Sequence, residues 1–410
     1  MHDIKRSAVS AVSYLLKHFP CVVVLGARQV GKTTLLKQVL PNKPFFDLES
    51  RTDCERIQRD PEFFLSQQEG PTVIDEAQTL PALFSALRVA IDRHRDKKGL
   101  YLLSGSSSPD LLKHITESLA GRAAIFELSG FGLEEAWKLP VNPLYDLLAK
   151  KNAGGILALK PRLDNNRILE SCLFGSYPEP FLTQRKDTKA FYLWMENYFT
   201  SYIRRDIRNL FPGLNIENYQ KFVAMLAGAS GQLLNASDFA RSLDISQPTV
   251  KSYFQIAHGT FVWRLLPSFH KNISKRVIKM PKGHMRDTGL LNHILHIGAA
   301  QQLQSHPAYG RIWETFIIEE LLKGFGNALL PVAPFFYRTT NNAEIDLILE
   351  GDFGLLPIEI KAGSLTASRN LIALEQFIHE QKLPFGLVIN NSLQPAWLTP
   401  KILQIPAGYL

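Results

Sequence analysis

The stretch that most restricts what this chain can fold into is "VVVLGARQVGKTTLLKQVL", from Val22 to Leu40. From Gly26 through Gly31, Lys32 and Thr33 the spacing is G-x-x-x-x-G-K-T, with a β-branched run before it and a helical pattern after it. Strand before and helix after are the context in which this spacing builds an anion cradle. Glycines let the backbone curl so that successive N–H groups converge, and the start of the helix adds the positive end of its dipole. The expected cradle is Gly26, Ala27, Arg28, Gln29, Val30, Gly31, Lys32, Thr33 and Thr34. Within it Lys32 is expected on the outer phosphates of a nucleoside triphosphate, and the Thr33 hydroxyl on the accompanying magnesium.

Around this loop, short apolar segments alternate with helical ones: "CVVVLG", "KPFFDLE", "PTVIDEA", "LYLLSGS" and "AAIFELS". Such order predicts a parallel sheet covered by helices, with ligands bound beyond the carboxyl ends of its strands. The third strand ends in Asp75-Glu76, where Asp75 is expected to hold magnesium and Glu76 to polarise the attacking water. The fourth runs into "SGSSS", where Ser104 or Ser106 is placed to sense a terminal phosphate; a plain serine-rich turn fits the same letters. Arg122, in "ESLAGRAA", is a candidate arginine finger in cis or from a neighbouring subunit, or a salt-bridged surface group.

With 410 residues, 45% of them hydrophobic, the chain is long enough for two or three domains at about 150 residues each. The pattern decays around residues 139–166, which suggests a nucleotide-binding domain over 1–140, a helical and helix-turn-helix domain over 141–290, and a further α/β domain over 291–410. No apolar run approaches membrane-spanning length, and the opening "MHDIKRSAVSAVSYLLKHFP" reads as an amphipathic helix rather than a signal peptide, so a cytoplasmic location is expected. Cys21, Cys54 and Cys172 have neither zinc nor disulfide spacing.

The formal charge of +8 is concentrated. Between Ala236 and Lys282 eight basic residues face two acids, which predicts a polyanionic partner, DNA before RNA. The same segment holds "NASDFARSLDISQPTVKSYFQIA", the pattern of a helix-turn-helix. Ser237 is expected to cap its first helix, and Ser246 to begin a second with Pro248 in its first turn. Gln247, Thr249, Lys251 and Ser252 should then face outward, with "GTFVWRLLPSF" and "KNISKRVIKM" as a wing. A protein-contact module of the same fold fits as well. Upstream, Arg204, Arg205 and Arg208 end a long amphipathic helix and fit either contact with a neighbour's nucleotide or pairing with acids such as Asp206.

Near the end, "NNAEIDLILEGDFGLLPIEIKAG" predicts a hairpin with charges in apolar strands: Asp346 on one, Glu359 and Lys361 on the same face of the other. Burying them together is costly without a partner that uses them. Magnesium on Asp346 and Glu359, with Lys361 stabilising a phosphodiester transition state, supplies one, and Glu314 or Glu319 on the preceding helix offers a third acid. An inactive scaffold or a solvated hairpin with a salt bridge fits the same letters.

Taken in order, "GARQVGKTTLL", "VIDEAQ", "SGSSS", "SLAGR", "GSYPEP", "YIRRDI", "KMPKGHMRDTGLLN", "HPAYGRIWETFIIEEL", "EIDLIL" and "IEIKAG" resemble a prokaryotic family of predicted AAA+ ATPases. That family carries an uncharacterised C-terminal domain similar to the restriction-endonuclease fold. The resemblance implies an α/β chain: a P-loop AAA+ sheet, a helical and winged-helix region, and an endonuclease-like domain. It also implies ATP with Mg2+ at Lys32, Thr33, Asp75 and Glu76, a nuclease-like site at Asp346, Glu359 and Lys361, and assembly into homo-oligomers. The arginine-finger reading of Arg122 rests on it. One departure stands out: many AAA+ proteins sense phosphate with asparagine, and here only serines are available. The chain is therefore expected to be an ATPase coupled to nucleic acid, or a nucleotide-dependent switch whose nuclease-like domain cuts nothing.

Overall fold

The computed structural model describes residues 4–106, 115–270, 281–339, 343–364 and 371–410. It forms two compact units, Met1–Phe131 with Gly259–Phe261, and Gly132–His258 with Val262–Leu410.

The first unit is built on five strands, β1 (Cys21–Gly26), β2 (Phe45–Asp47), β3 (Thr72–Asp75), β4 (Tyr101–Ser106) and β5 (Ala123–Glu127). They form one sheet in the order β2-β3-β4-β1-β5, with all neighbours parallel. Every residue of β1 and β3 is buried, as expected for valine- and isoleucine-rich strands covered on both faces. β4 lies between β1 and β3, with Gly26 opposite Ser106 and Ile74 opposite Leu103. Three strand ends thus meet at one edge of the sheet, as parallel registration requires. Val23, Leu25, Leu83, Leu87 and Leu103 are among the core residues beneath, each fully buried leucine contributing about 2 kcal/mol of transfer free energy.

In the second unit the predicted long helix runs over Thr188–Ser201, opens into a wide π-helical turn over Tyr202–Ile207 and closes with Arg208–Leu210. Helix Ile216–Ala229 packs Phe222 against Phe239, Tyr253 and Phe254, the last three contributed by helices Ala236–Leu243 and Gln247–Gly259. The first of these two is capped by the Asn235 side chain, not by Ser237, whose own amide it accepts at 3.0 Å. Asp244 makes the turn with a left-handed φ of 52°. Three short strands complete this region, β6 (Gln232–Leu233), β7 (Trp263–Leu266) and β8 (Lys282–Met285), antiparallel in the order β6-β8-β7. The basic stretch "KNISKRVIKM", expected as part of a wing, lies outside the described residues.

A second sheet closes the chain: β9 (Val332–Arg338), β10 (Glu344–Gly351), β11 (Gly354–Ile360), β12 (Gly386–Asn390), β13 (Ala396–Thr399) and β14 (Ile402–Pro406), in the order β13-β14-β12-β11-β10-β9. The predicted hairpin is β10–β11, antiparallel, whereas β11, β12 and β14 run parallel. Helix Ile372–Glu380 packs Leu374, Phe377 and Ile378 into a core with Ile345, Ile348 and Val388. Among the described residues no helix is long and apolar enough to cross a membrane. Cys21, Cys54 and Cys172 are all free thiols.

Candidate functional site

The loop after β1 has the backbone its glycines predict. A Cβ at Gly26 would lie 2.3 Å from the Leu128 carbonyl oxygen, so no other residue fits there. Gly31 opens helix Lys32–Val39 with φ 93°, and Gln29 is also left-handed at φ 61°. Lys32 is only 5% exposed, and its Nζ donates to the carbonyls of Gly26 (3.2 Å) and Ala27 (3.1 Å) and to Ser106 Oγ (3.2 Å). Burial pushes this ammonium below the usual lysine range, against the pull of Glu76 and Asp75. Thr33 Oγ1 donates to Asp75 Oδ2 at 2.6 Å, which puts the two expected magnesium donors within one cation's reach. Thr34 and Gln29 are exposed, and Arg28 pairs with Glu49 at 2.7 Å.

The two candidate serines separate. Ser104 is fully buried and spends its hydroxyl on Asp75 Oδ1, so it sits behind the carboxylate rather than on a phosphate path. Ser106, one pleat further along the strand, touches both Lys32 and Glu76, the latter at 3.3 Å. Glu76 itself is left-handed (φ 54°), an uncommon conformation for glutamate. Its carboxylate accepts from Gln78 Nε2 at 2.5 Å, while Gln78 Oε1 accepts the Ser106 amide at 3.2 Å. Gln78 stands in the sequence only as the last residue of "VIDEAQ", with no role read for it. Arg122 is held in a bidentate pair with Asp92, at 2.9 and 2.8 Å, so any contact with nucleotide would require that pair to open.

In the second unit, Asp346, Glu359 and Lys361 do come together, and they bring company. Lys361 Nζ lies 2.6 Å from Glu359 and 3.6 Å from Asp346. Of the two acids offered by helix Tyr309–Asn327, Glu314 reaches this cluster, whereas Glu319 is taken by Arg264 and Arg286. Lys282 on β8, which the sequence placed only in the basic segment, joins the cluster: its Nζ lies 2.6 Å from Glu314, 2.7 Å from Glu344 and 4.0 Å from Asp346. His284, two residues on, is fully buried: its Nδ1 lies 3.0 Å from Thr315 Oγ1, while its Nε2 is 3.8 Å from Glu314 and has no hydrogen-bond partner among the described residues. Asp346 Oδ2 also accepts the Ile360 amide at 2.8 Å.

Four carboxyls thus face two ammonium groups. Burial and the neighbouring Asp346 push Glu314 and Glu359 up to about 8, with Lys282 and Lys361 pulling back. Both lysines, despite burial, are held above their ordinary value by these acids, and burial drives His284 well below its own. The ammonium groups stand where a divalent ion would need open donors, and among the described residues no group of three or more His, Cys, Asp or Glu side chains is arranged to hold a metal. As found, Lys361 and Lys282 hold the carboxylate oxygens that a magnesium ion would use.

On helix Gln247–Gly259, Gln247, Lys251 and Ser252 are exposed and Thr249 is half-buried, while Val250, Tyr253 and Phe254 are buried. Arg204, Arg205 and Arg208 are exposed around the π-helical turn.

Three family models match the chain in succession: an AAA domain over residues 18–137, a domain of unknown function (DUF8612) over 165–301 and a domain of unknown function (DUF4143) over 309–409. The Walker-type ATPase PABY2304 of Pyrococcus abyssi aligns with a TM-score of 0.44 and 15% identity, covering 70% of this chain and 94% of that one. The uncharacterized proteins Rv2008c of Mycobacterium tuberculosis and Mb2031c of Mycobacterium bovis are each 34% identical over 349 residues, 84% of this chain and 71% of theirs. With its phosphate loop inside the AAA match, the chain belongs to the family of these mycobacterial proteins.

Proposed function

We propose that the protein binds and hydrolyses ATP with magnesium at the phosphate loop, and couples that cycle to nucleic acid through its second unit. The observation that carries this reading is the pairing of Thr33 with Asp75 at 2.6 Å beside a buried, incompletely neutralised Lys32. Magnesium fits there: hydroxyl and carboxylate are hard oxygen donors, and phosphate oxygens and water complete its shell. Bound between them, it would neutralise charge on the triphosphate. Lys32 exchanges the Gly26 and Ala27 carbonyls for the outer phosphates, a stronger, charge-assisted contact. Glu76 orients a water for in-line attack on the terminal phosphate and accepts its proton.

The paired helices Ala236–Leu243 and Gln247–Gly259 with strands β6, β7 and β8 support a winged helix, and Gln247, Lys251 and Ser252 offer the exposed polar face that a major groove accepts. Exposed Arg204, Arg205 and Arg208 support a homo-oligomer in which one copy faces the next copy's nucleotide; Arg122 serves that role only if Asp92 releases it. The endonuclease-like reading of the last sheet keeps its three charges, but Lys282 between Glu314 and Glu344 favours the second reading, a nucleotide-dependent switch that cuts nothing.

Calorimetry with magnesium and ATP, followed by phosphate release with and without duplex DNA, single strands and RNA, tests both. Uptake of one nucleotide per chain and faster release with duplex DNA are expected. No uptake by the folded protein overturns the ATPase reading, and cleaved DNA overturns the switch.

A further inference from the structure

We propose that Gln78 is the positioning residue that orients the water-activating carboxylate of Glu76 and ties it to the end of β4. This rests on the ATPase reading above. The geometry is a closed ring of four side chains at the meeting point of three strand ends. Gln78 Nε2 donates to Glu76 Oε2 at 2.5 Å, and Ser106 Oγ reaches the same oxygen at 3.3 Å. Gln78 Oε1 accepts the Ser106 amide at 3.2 Å, and Lys32 Nζ donates to Ser106 Oγ at 3.2 Å. The other Glu76 oxygen, Oε1, points to Lys32 at 3.8 Å, toward the cradle. One carboxylate oxygen is therefore anchored and the other is left facing the phosphate loop.

Both partners dictate the chemistry at position 78. A carboxylate only accepts and a backbone amide only donates, so the residue between them must donate at one end and accept at the other. A primary amide does this, and the same pair of partners fixes which way round it lies. The backbone is arranged for it: Glu76 takes a left-handed conformation, its amide held by Ser104 Oγ and Asp75 Oδ1, each at 3.2 Å, and the short helical turn Ala77–Thr79 brings Gln78 back toward the strand. An outlier of this kind persists only where surrounding contacts over-determine it. Ser106 lies opposite Gly26 across β1 and β4, so a phosphate that draws Lys32 away from Ser106 is felt at the residue Gln78 holds. That gives a route for sensing the terminal phosphate without an asparagine.

The test uses the full-length chain with Gln78→Ala, the isosteric Gln78→Glu, Glu76→Gln and the Glu76→Gln/Gln78→Ala double variant. Steady-state turnover is measured beside ATP affinity by calorimetry. Gln78→Ala and Gln78→Glu are expected to lower kcat by about 30-fold or more, as misplacement by about an ångström does, with ATP affinity within about threefold of the unaltered protein. In the Glu76→Gln background Gln78→Ala is expected to change nothing further, because Gln78 acts through Glu76. A structural role would instead weaken ATP binding in proportion and persist in the double variant; either result overturns the proposal, as does unchanged kcat in Gln78→Glu. Tight ATP binding without turnover in the unaltered chain removes the reaction itself, and with it both this role and the ATPase reading.

Discussion

Lys32 and Lys282 are both buried ammonium groups set among strand ends and carboxylates, at 5% and 4% exposure, and their surroundings push them in opposite directions. Lys32 is satisfied by carbonyls and a hydroxyl, its nearest carboxylate oxygen is 3.8 Å away, and burial lowers its affinity for a proton. Lys282 has carboxylates at 2.6 and 2.7 Å and holds its proton more tightly than a free lysine. A buried cation short of counter-charge is an incomplete structure that an incoming anion completes, whereas one already matched is a structural element. Chemistry is therefore expected at the first and cohesion at the second.

The largest test of that contrast is Lys32→Ala. Removing the only side-chain ammonium in the cradle is expected to reduce ATP turnover by about 10³-fold, with little change in the melting of the protein. A melting loss larger than the turnover loss would place Lys32 with Lys282. The converse variant, Lys282→Met, leaves buried Glu314 without its cation and half-buried Glu344 with only the more distant Arg338, and is expected to cost about 3 kcal/mol of stability in the second unit, read by chemical denaturation, with ATP affinity unchanged. Adding Glu314→Gln should restore part of it, and no loss in the single variant would show that the cluster is not cohesive.

Glu76→Gln sharpens the first half of the comparison: about 10²-fold slower phosphate release with ATP still bound, since an amide cannot take the proton of the attacking water. The smallest effect is in pH. Glu314 and Glu359 carry raised values in the folded protein, about 8 against an ordinary 4.5, so the folded state binds more protons than the unfolded one between those limits. Stability then falls as pH rises toward 8, by at most about 1.4 kcal/mol per group per pH unit, and levels off above. His284, held neutral, acts in the opposite sense only below its ordinary 6.5, so the window from 7 to 8 leaves it out. Denaturation across that window should show the decline, and a Glu314→Gln/Glu359→Gln variant should lose it.

How far each site was legible in the letters follows from where its parts lie along the chain. The phosphate loop is one contiguous segment whose spacing encodes its own geometry, so the strand, the glycine-built turn and the helix after it were readable, as was the parallel sheet around them. Ser104 and Ser106 share a face of β4, and only their depth tells them apart: one lies under Asp75, the other in front of Glu76. Gln78 escaped because its role depends on the left-handed turn at Glu76, which no residue type there announces. In the last sheet, Asp346, Glu359 and Lys361 were visible as charges in apolar strands, but Lys282 arrives from a strand more than sixty positions earlier. Pairings of that kind are set by tertiary packing. The capping of Ala236–Leu243 shows the same limit at short range, since Asn235 and Ser237 are both good caps and sequence alone does not choose.

The origin of Lys282 also limits how this molecule can be dissected. β8 belongs to the small antiparallel sheet beside the helix pair, yet its first side chain is the counter-ion for acids on β10 and on helix Tyr309–Asn327. A recombinant fragment that begins after Met285 would carry Glu314, Glu344, Asp346 and Glu359 against Lys361 and, 4.0 Å from Glu344, Arg338, without the ammonium that lies closest to Glu314. Such a piece should express poorly or precipitate near neutrality, while one cut ahead of Gln232 retains its internal neutraliser and is the better starting point for crystals or spectra.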